Sequence, residues 1–136
     1  METNLFIDLP KLAFMPGEPV SGKILWALDQ PPEEILLSIG WWTEGRGSKD
    51  AKITGETTWR TSASAGEESF SFTIPESPYS FNGQLISLKW GLEISAKRGR
   101  EKQTQEIVVS PWGVPVDLPK VENESSRKSI SLLRNR

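Results

Sequence analysis

Apolar and polar residues alternate along most of this chain, and helical periodicity is nearly absent before residue 110. Residues 4–9 form a first short strand. Residues 10–19 are a connection containing Pro16-Gly17. Val20, Gly22, Ile24, Trp26 and Leu28 then share one phase, the pattern of a strand with one buried face. Residues 29–32 turn, because Pro31-Pro32 cannot sit in a central strand. Ile35, Leu37, Ile39 and Trp41 mark the next buried face, and residues 43–52 read as a polar loop. A weaker, Thr-rich strand spans 54–64. A clear one spans 69–74, with Phe70, Phe72 and Ile74 in phase. After a loop over 75–83, Ile86, Leu88, Trp90, Leu92 and Ile94 give the longest clean alternation. A turn around Gly99 leads to a last strand over 105–110, with Ile107 and Val109 in phase. About seven strands at short spacing predict an all-β, immunoglobulin-like antiparallel sandwich of two packed sheets.

The C-terminal stretch breaks the pattern. Residues 111–119 hold three prolines and are expected to end the sheet. From Lys120 the chain is polar and charged, a composition expected to be disordered on its own. The division predicted is a domain over 1–112 and a Pro-containing linker with a flexible basic tail over 113–136. Charge follows the same split. Residues 1–110 hold 11 Lys/Arg and 15 Asp/Glu, a net −4, whereas 111–136 hold 5 and 3, a net +2.

At 136 residues the chain is one domain by size and can bury a core without staples. It has no Cys and no His. That composition removes disulfides, thiol- and imidazole-based nucleophilic machinery, and His or Cys zinc sites. No phosphate-cradling glycine motif is present, so no cofactor is expected. A net charge of −2 argues against a nucleic-acid partner bound through bulk charge. There is no signal-like N-terminus and no apolar run long enough for a membrane span, so the expected setting is cytoplasmic.

Glu33-Glu34 and Glu67-Glu68 suggest paired carboxylates, but strand neighbours point to opposite faces and cannot converge on one substrate. The expectation is therefore no enzymatic activity. Among the Trp residues, Trp26, Trp41 and Trp90 sit in phase with aliphatic neighbours and belong to the core. Trp42 must face the other way, alongside Gly40 and Ser38. If its strand pairs with 84–95, Gly91 and Lys89 lie opposite, and the ring either covers glycine backbone or offers a contact platform. Trp59 and Trp112 are each a partner contact or an anchor for their own segment. Lys97, Arg98, Arg100 and Lys102 crowd a hairpin tip suited to a phosphate or an acidic peptide, or serve only solubility. Arg127, Lys128, Arg134 and Arg136 surround Ser129 and Ser131 in a pattern compatible with a kinase substrate or with contact to an acidic surface. Ile130, Leu132 and Leu133 offer the tail an apolar contact of its own.

Two stretches, FMPGEPVSGKILWAL from Phe14 and FSFTIPESPYSFNGQLISLKWGLEI from Phe70, together resemble the N-terminal lobe of the arrestin family. The matching positions are Pro16, Gly17, Glu18, Val20, Gly22 and Ile24, then Pro75, Pro78, Ser80, Phe81, Gly83 and Ile86. The resemblance covers roughly residues 4–110. It implies a sandwich lobe that recognises other proteins, as also found in retromer-type sorting subunits and a bacterial sporulation-control protein. On that resemblance these are fold-forming positions, with Gly22 and Gly83 permitting tight backbone packing and Phe81 plugging the end of the sandwich. Full members carry two such lobes, and this chain has room for one, so a mechanism based on lobe rotation does not carry over.

The function expected is a non-enzymatic adaptor or scaffold that binds a protein or peptide. Two alternatives stand beside it. One is a carbohydrate-binding module using exposed Trp; the other is a homo-oligomer paired through edge strands.

Overall fold

A computed structural model describes residues 4–47, 49–97 and 102–117. Ten strands occur among them: β1 Leu5–Asp8, β2 Ala13–Phe14, β3 Pro19–Ala27, β4 Glu34–Gly45, β5 Ala51–Arg60, β6 Ala65–Thr73, β7 Phe81–Asn82, β8 Ile86–Ala96, β9 Lys102–Val109 and β10 Val116–Asp117. A small antiparallel sheet has the order β1-β3-β6. The larger sheet runs β10-β7-β8-β4-β5, with β9 also on β8 and β2 on β9. The two sheets form a β-sandwich around one core.

The inward phases match the alternation in the sequence. Val20 and Ile24 of β3, Ile35, Leu37 and Ile39 of β4, Trp90, Leu92 and Ile94 of β8, and Ile107 and Val109 of β9 are buried in one core. Trp26 is buried too, and its indole N–H donates to the Ala63 carbonyl at 3.1 Å. Trp41 is half-buried against the same core. Phe81 also packs against it.

The Pro16-Gly17-Glu18 segment earns its place by three separate contacts. Pro16 and Gly17 are the central residues of a turn closed by the Glu18 N–H on the Met15 carbonyl at 3.0 Å. Gly17 has φ +83°, a left-handed value suited to the third position of a type II turn. The Gly17 N–H and the Glu18 carbonyl both bond to Ile74, which ties this turn to the end of β6. The Glu18 carboxylate accepts from the Met15 N–H at 2.7 Å and pairs with Lys11. The Lys11 ammonium and then the Met15 N–H hold the Glu18 pKa below its ordinary value of 4.5.

Gly22 is where β1 closes on β3. A Cβ there would stand 2.4 Å from the Asp8 carbonyl oxygen, so only glycine fits. In the second motif the Ser77–Pro78 peptide is cis, and the Pro78 carbonyl accepts the Trp90 indole N–H at 3.0 Å. Pro75 is half-buried beside the Ile74 junction. Ser80 is buried and grips β9: its N–H donates to Val109, and its hydroxyl accepts the Val109 N–H. The Gly83 N–H reaches the Ser87 hydroxyl at 3.4 Å.

Several boundaries differ from the sequence expectation. The 10–19 connection contains β2, which lies parallel to β9. The sheet also continues past the prolines, since β10 pairs in parallel with β7. Pro111 and Pro115 precede the paired residues, so neither must donate to the ladder. Residues 118–136, with the tail cations, the two serines and the apolar residues named above, lie outside the described residues.

Candidate functional site

The outward phase of the larger sheet carries the most distinctive surface. In β4 it presents Ser38, Gly40 and Trp42, and the register sets these opposite Glu93, Gly91 and Lys89 of β8. Two glycines therefore face each other and strip the centre of the sheet of side chains. The Trp42 ring lies over this bare backbone. A Cβ on Gly91 would stand 3.0 Å from two of its ring carbons. Covering strand glycine with an aromatic ring keeps water from the ladder beneath.

Polar contacts fix the ring. The Trp42 indole N–H donates to the Glu44 carboxylate at 2.8 Å. Glu44 lies 4.0 Å from the Lys89 ammonium, which lies 3.5 Å from Glu106 of β9. These pairs are solvent-exposed and contribute little each, but together they hold one orientation of the indole.

The floor dips beside Trp42 because β5 is bulged. The register shifts between Ile39 and Gly40, so that Ile39 faces Gly55 while Gly40 faces Ile53. The displaced backbone presses close, and a Cβ on Gly40 would stand 2.2 Å from the Lys52 carbonyl oxygen. The bulge turns Ile53 outward and leaves it 59% exposed. Ser38, Gly40, Trp42, Ile53, Gly91 and Thr104 are among the residues lining an open groove of about 340 Å³. Its wall is one aromatic ring and one aliphatic side chain, its floor is glycine backbone, and its rim is hydroxyl and carboxylate. Such a surface can hold an apolar side chain or a flat ring by contact.

The other candidates are placed differently. Trp59 lies opposite Ile35 and packs against the core, the anchor of its own strand. Trp112 is exposed and meets the Tyr79 ring edge-on, with centroids 6.4 Å apart. Lys97 pairs with Glu33 at 3.6 Å and Lys102 with Glu93 at 3.5 Å, so both bind the domain's own carboxylates. Arg98 and Arg100 lie outside the described residues. Glu34 sits 3.9 Å from Arg60 while Glu33 goes to Lys97, and Glu67 lies 3.5 Å from Lys23. Glu67 and Glu68 face Leu25 and Ile24 respectively, hence opposite sides of the sheet. No group of acidic residues that could hold a metal ion occurs among the described residues. No helix among them is long and apolar enough to cross a membrane.

Sequence reasoning found Trp42, Gly40, Gly91 and Lys89, but not Ile53. The bulge that exposes Ile53 has no signal in the alternation.

No family model and no curated protein sequence matches the chain. Among solved structures it is similar to Spo0M, the sporulation control protein of Bacillus subtilis, at a TM-score of 0.57 and 17% identity. The match covers 83% of this chain and 52% of that one, so the chain spans about half of Spo0M. At this identity the likeness is one of fold, and it is the arrestin-like fold.

Proposed function

We propose that this chain is a non-enzymatic interaction domain that binds a protein or peptide across the outer face of its larger sheet, as an adaptor or scaffold. One observation carries the reading: the Trp42 ring is held over Gly91 beside an exposed Ile53, in an open groove floored by glycine backbone. Aromatic rings with little freedom left to lose are strong contact points in protein interfaces. The arrestin-like fold supports the same class of role, and the Cys-free composition suits a reducing cytoplasm.

The test is affinity capture with the full chain, with Trp42→Ala and Ile53→Ser carried in parallel. A stoichiometric protein partner lost from both variants supports the proposal. A partner retained equally by both places binding elsewhere. Enrichment of oligosaccharide instead, lost in Trp42→Ala, would move the reading to sugar stacking on the same ring.

A further inference from the structure

Strand register sets the outward side chains of the larger sheet in rows. One row runs from Glu56 of β5 through Ser38 of β4 and Glu93 of β8 to Thr104 of β9. The next runs through Ile53, Gly40, Gly91 and Glu106, and its two glycines are the floor of the groove. The third holds Ala51, Trp42 and Lys89, and from it the indole leans back over Gly91. The groove is therefore a short trough. Its wall is aromatic on the Trp42 side and polar and acidic on the Ser38 side. Lys52 shares the opposite phase, across from Trp41, and gives the floor only its backbone carbonyl beside Gly40.

Two groups in the acidic wall lack a partner. Ser38 is only 8% exposed, yet its hydroxyl makes no hydrogen bond among the described residues. It shares the phase of Gly40 and opens on the groove that it lines. A hydroxyl buried to this degree without a partner is a cost that a bound ligand can relieve. The second group is the Glu56 carboxylate, directly across from it. Glu34, Glu44, Glu93 and Glu106 of this face each reach a cation within 4.0 Å, whereas Glu56 reaches none among the described residues. The acidic wall thus holds an unbalanced negative charge next to an unused hydroxyl. We infer that the groove takes an arginine side chain of the partner protein, its stem over Gly40 and its guanidinium between Trp42, Ser38 and Glu56. This inference rests on the protein-binding reading of the same face and names the group that the partner presents.

The chemistry of the three groups selects arginine over other side chains. A guanidinium stacks on an aromatic ring, forks to a carboxylate and still has donors left for a hydroxyl oxygen. The spacing suits it. Adjacent rows on this face lie two residues apart along β4, about 7 Å, so a guanidinium against the ring over Gly91 is within reach of the Ser38 row. Its methylene stem needs a floor without side chains, and Gly40 provides one beside the apolar Ile53. A purely apolar side chain would leave both Ser38 and Glu56 unpartnered. An acidic or phosphorylated one would be repelled by the same wall. A lysine ammonium could meet Glu56, but as a compact, strongly hydrated charge it makes poorer use of the ring and the hydroxyl together.

The experiment is a titration of the nitrogen-15-labelled full chain, followed by nuclear magnetic resonance, with the peptide acetyl-Gly-Arg-Gly-amide and with its citrulline counterpart, which has the same shape and no charge. Saturable shifts are expected at the Trp42 indole N–H and the Gly40 and Gly91 amides, with a dissociation constant of about 1 mM. The citrulline peptide should bind about fivefold more weakly, the worth of one exposed cation–π contact. Glu56→Gln should bring the arginine peptide down to the citrulline level. Ser38→Ala should weaken it too without lowering the unfolding midpoint, since the hydroxyl has no partner to lose. An unchanged spectrum outside the groove certifies each variant. Equal binding of the two peptides would overturn the inference and leave the groove a peptide site of another kind. So would the absence of saturable groove shifts up to about 20 mM of either peptide. Groove shifts that appear only when Arg127, Arg134 and Arg136 are changed to Gln in the full chain would give the site to the chain's own end and overturn the partner assignment. A captured protein that is lost from Trp42→Ala and Ile53→Ser but kept by Glu56→Gln would uphold the protein-binding reading and overturn the arginine.

Discussion

Replacing Trp90 by Ala tests the core assignment most severely. Trp90 is fully buried in β8, opposite Trp41 of β4 and Ile107 of β9. A Trp side chain removes about 150–250 Å² from water, worth about 4–6 kcal/mol at about 25 cal/mol per Å². Ala keeps a fraction of that, and the denatured chain already shelters some, so the expected loss is about 3–5 kcal/mol. The Pro78 carbonyl also loses its donor. Against a total of about 5–15 kcal/mol for a domain of this kind, the variant should be close to unfolding in water. Trp90→Phe keeps most of the volume and isolates the hydrogen bond, and should cost about 1–2 kcal/mol. Trp42→Ala removes a half-exposed ring from a sheet surface and should cost about 1 kcal/mol. Urea unfolding followed by circular dichroism reads all three without relying on Trp emission, and equal slopes keep the midpoints comparable. Equal losses for Trp90→Ala and Trp42→Ala would refute the phase of β4 and β8 and the site built on it.

Gly22→Ala should destabilise by about 1–3 kcal/mol, because its Cβ would meet the Asp8 carbonyl oxygen, a backbone atom that cannot swing away; denaturant unfolding checks it. Gly91→Ala should tilt the Trp42 ring off the sheet, seen as a changed near-ultraviolet circular dichroism band with far-ultraviolet signal intact. Glu18→Gln should lower stability at neutral pH. Because the folded pKa of Glu18 is depressed, its contribution is present above 4.5 and disappears as pH falls through the folded value, so the gap to the variant should close on acidification in a pH series of melts.

The strands that bury one face were legible because a one-residue slip would turn every core side chain to solvent. That constraint fixes the phase of β3, β4 and β8, and hence the position of Trp42 over Gly91. The two-residue pairs β2, β7 and β10 left no trace, since each exists only because a neighbouring strand end offers free backbone groups. The first half of β6, Ala65 to Glu68, has no apolar pattern and is a strand because β3 continues beside it. Ile53 shows most directly where the pattern runs out. Counted back by twos from Trp59 it belongs to the inner face, and the bulge at Thr54 reverses that. Trp112 reads as isolated among prolines until the chain brings Tyr79 against it.

The free edges of the sandwich bear on how a partner can reach it. β5 and β6 end their respective sheets, and each carries a device that opposes strand addition. In β5 the bulge breaks the run of evenly spaced backbone groups at its middle, so an incoming strand would lose register there. In β6 Glu68 lies opposite Ile24, placing a carboxylate on the inward-facing side of an edge where a pairing strand would have to desolvate it. A strand adding at β5 or at β6 would meet the device that guards that edge. The outer face of the larger sheet has neither obstacle. Its carboxylates Glu44, Glu93 and Glu106 are paired with Lys89 and Lys102, and its central backbone is covered by Trp42. A partner that lies across this face displaces no ladder hydrogen bond. Contact through side chains on the sheet face is thus cheaper than strand addition at β5 or β6, and the same bulge that guards the β5 edge is what turns Ile53 into that face.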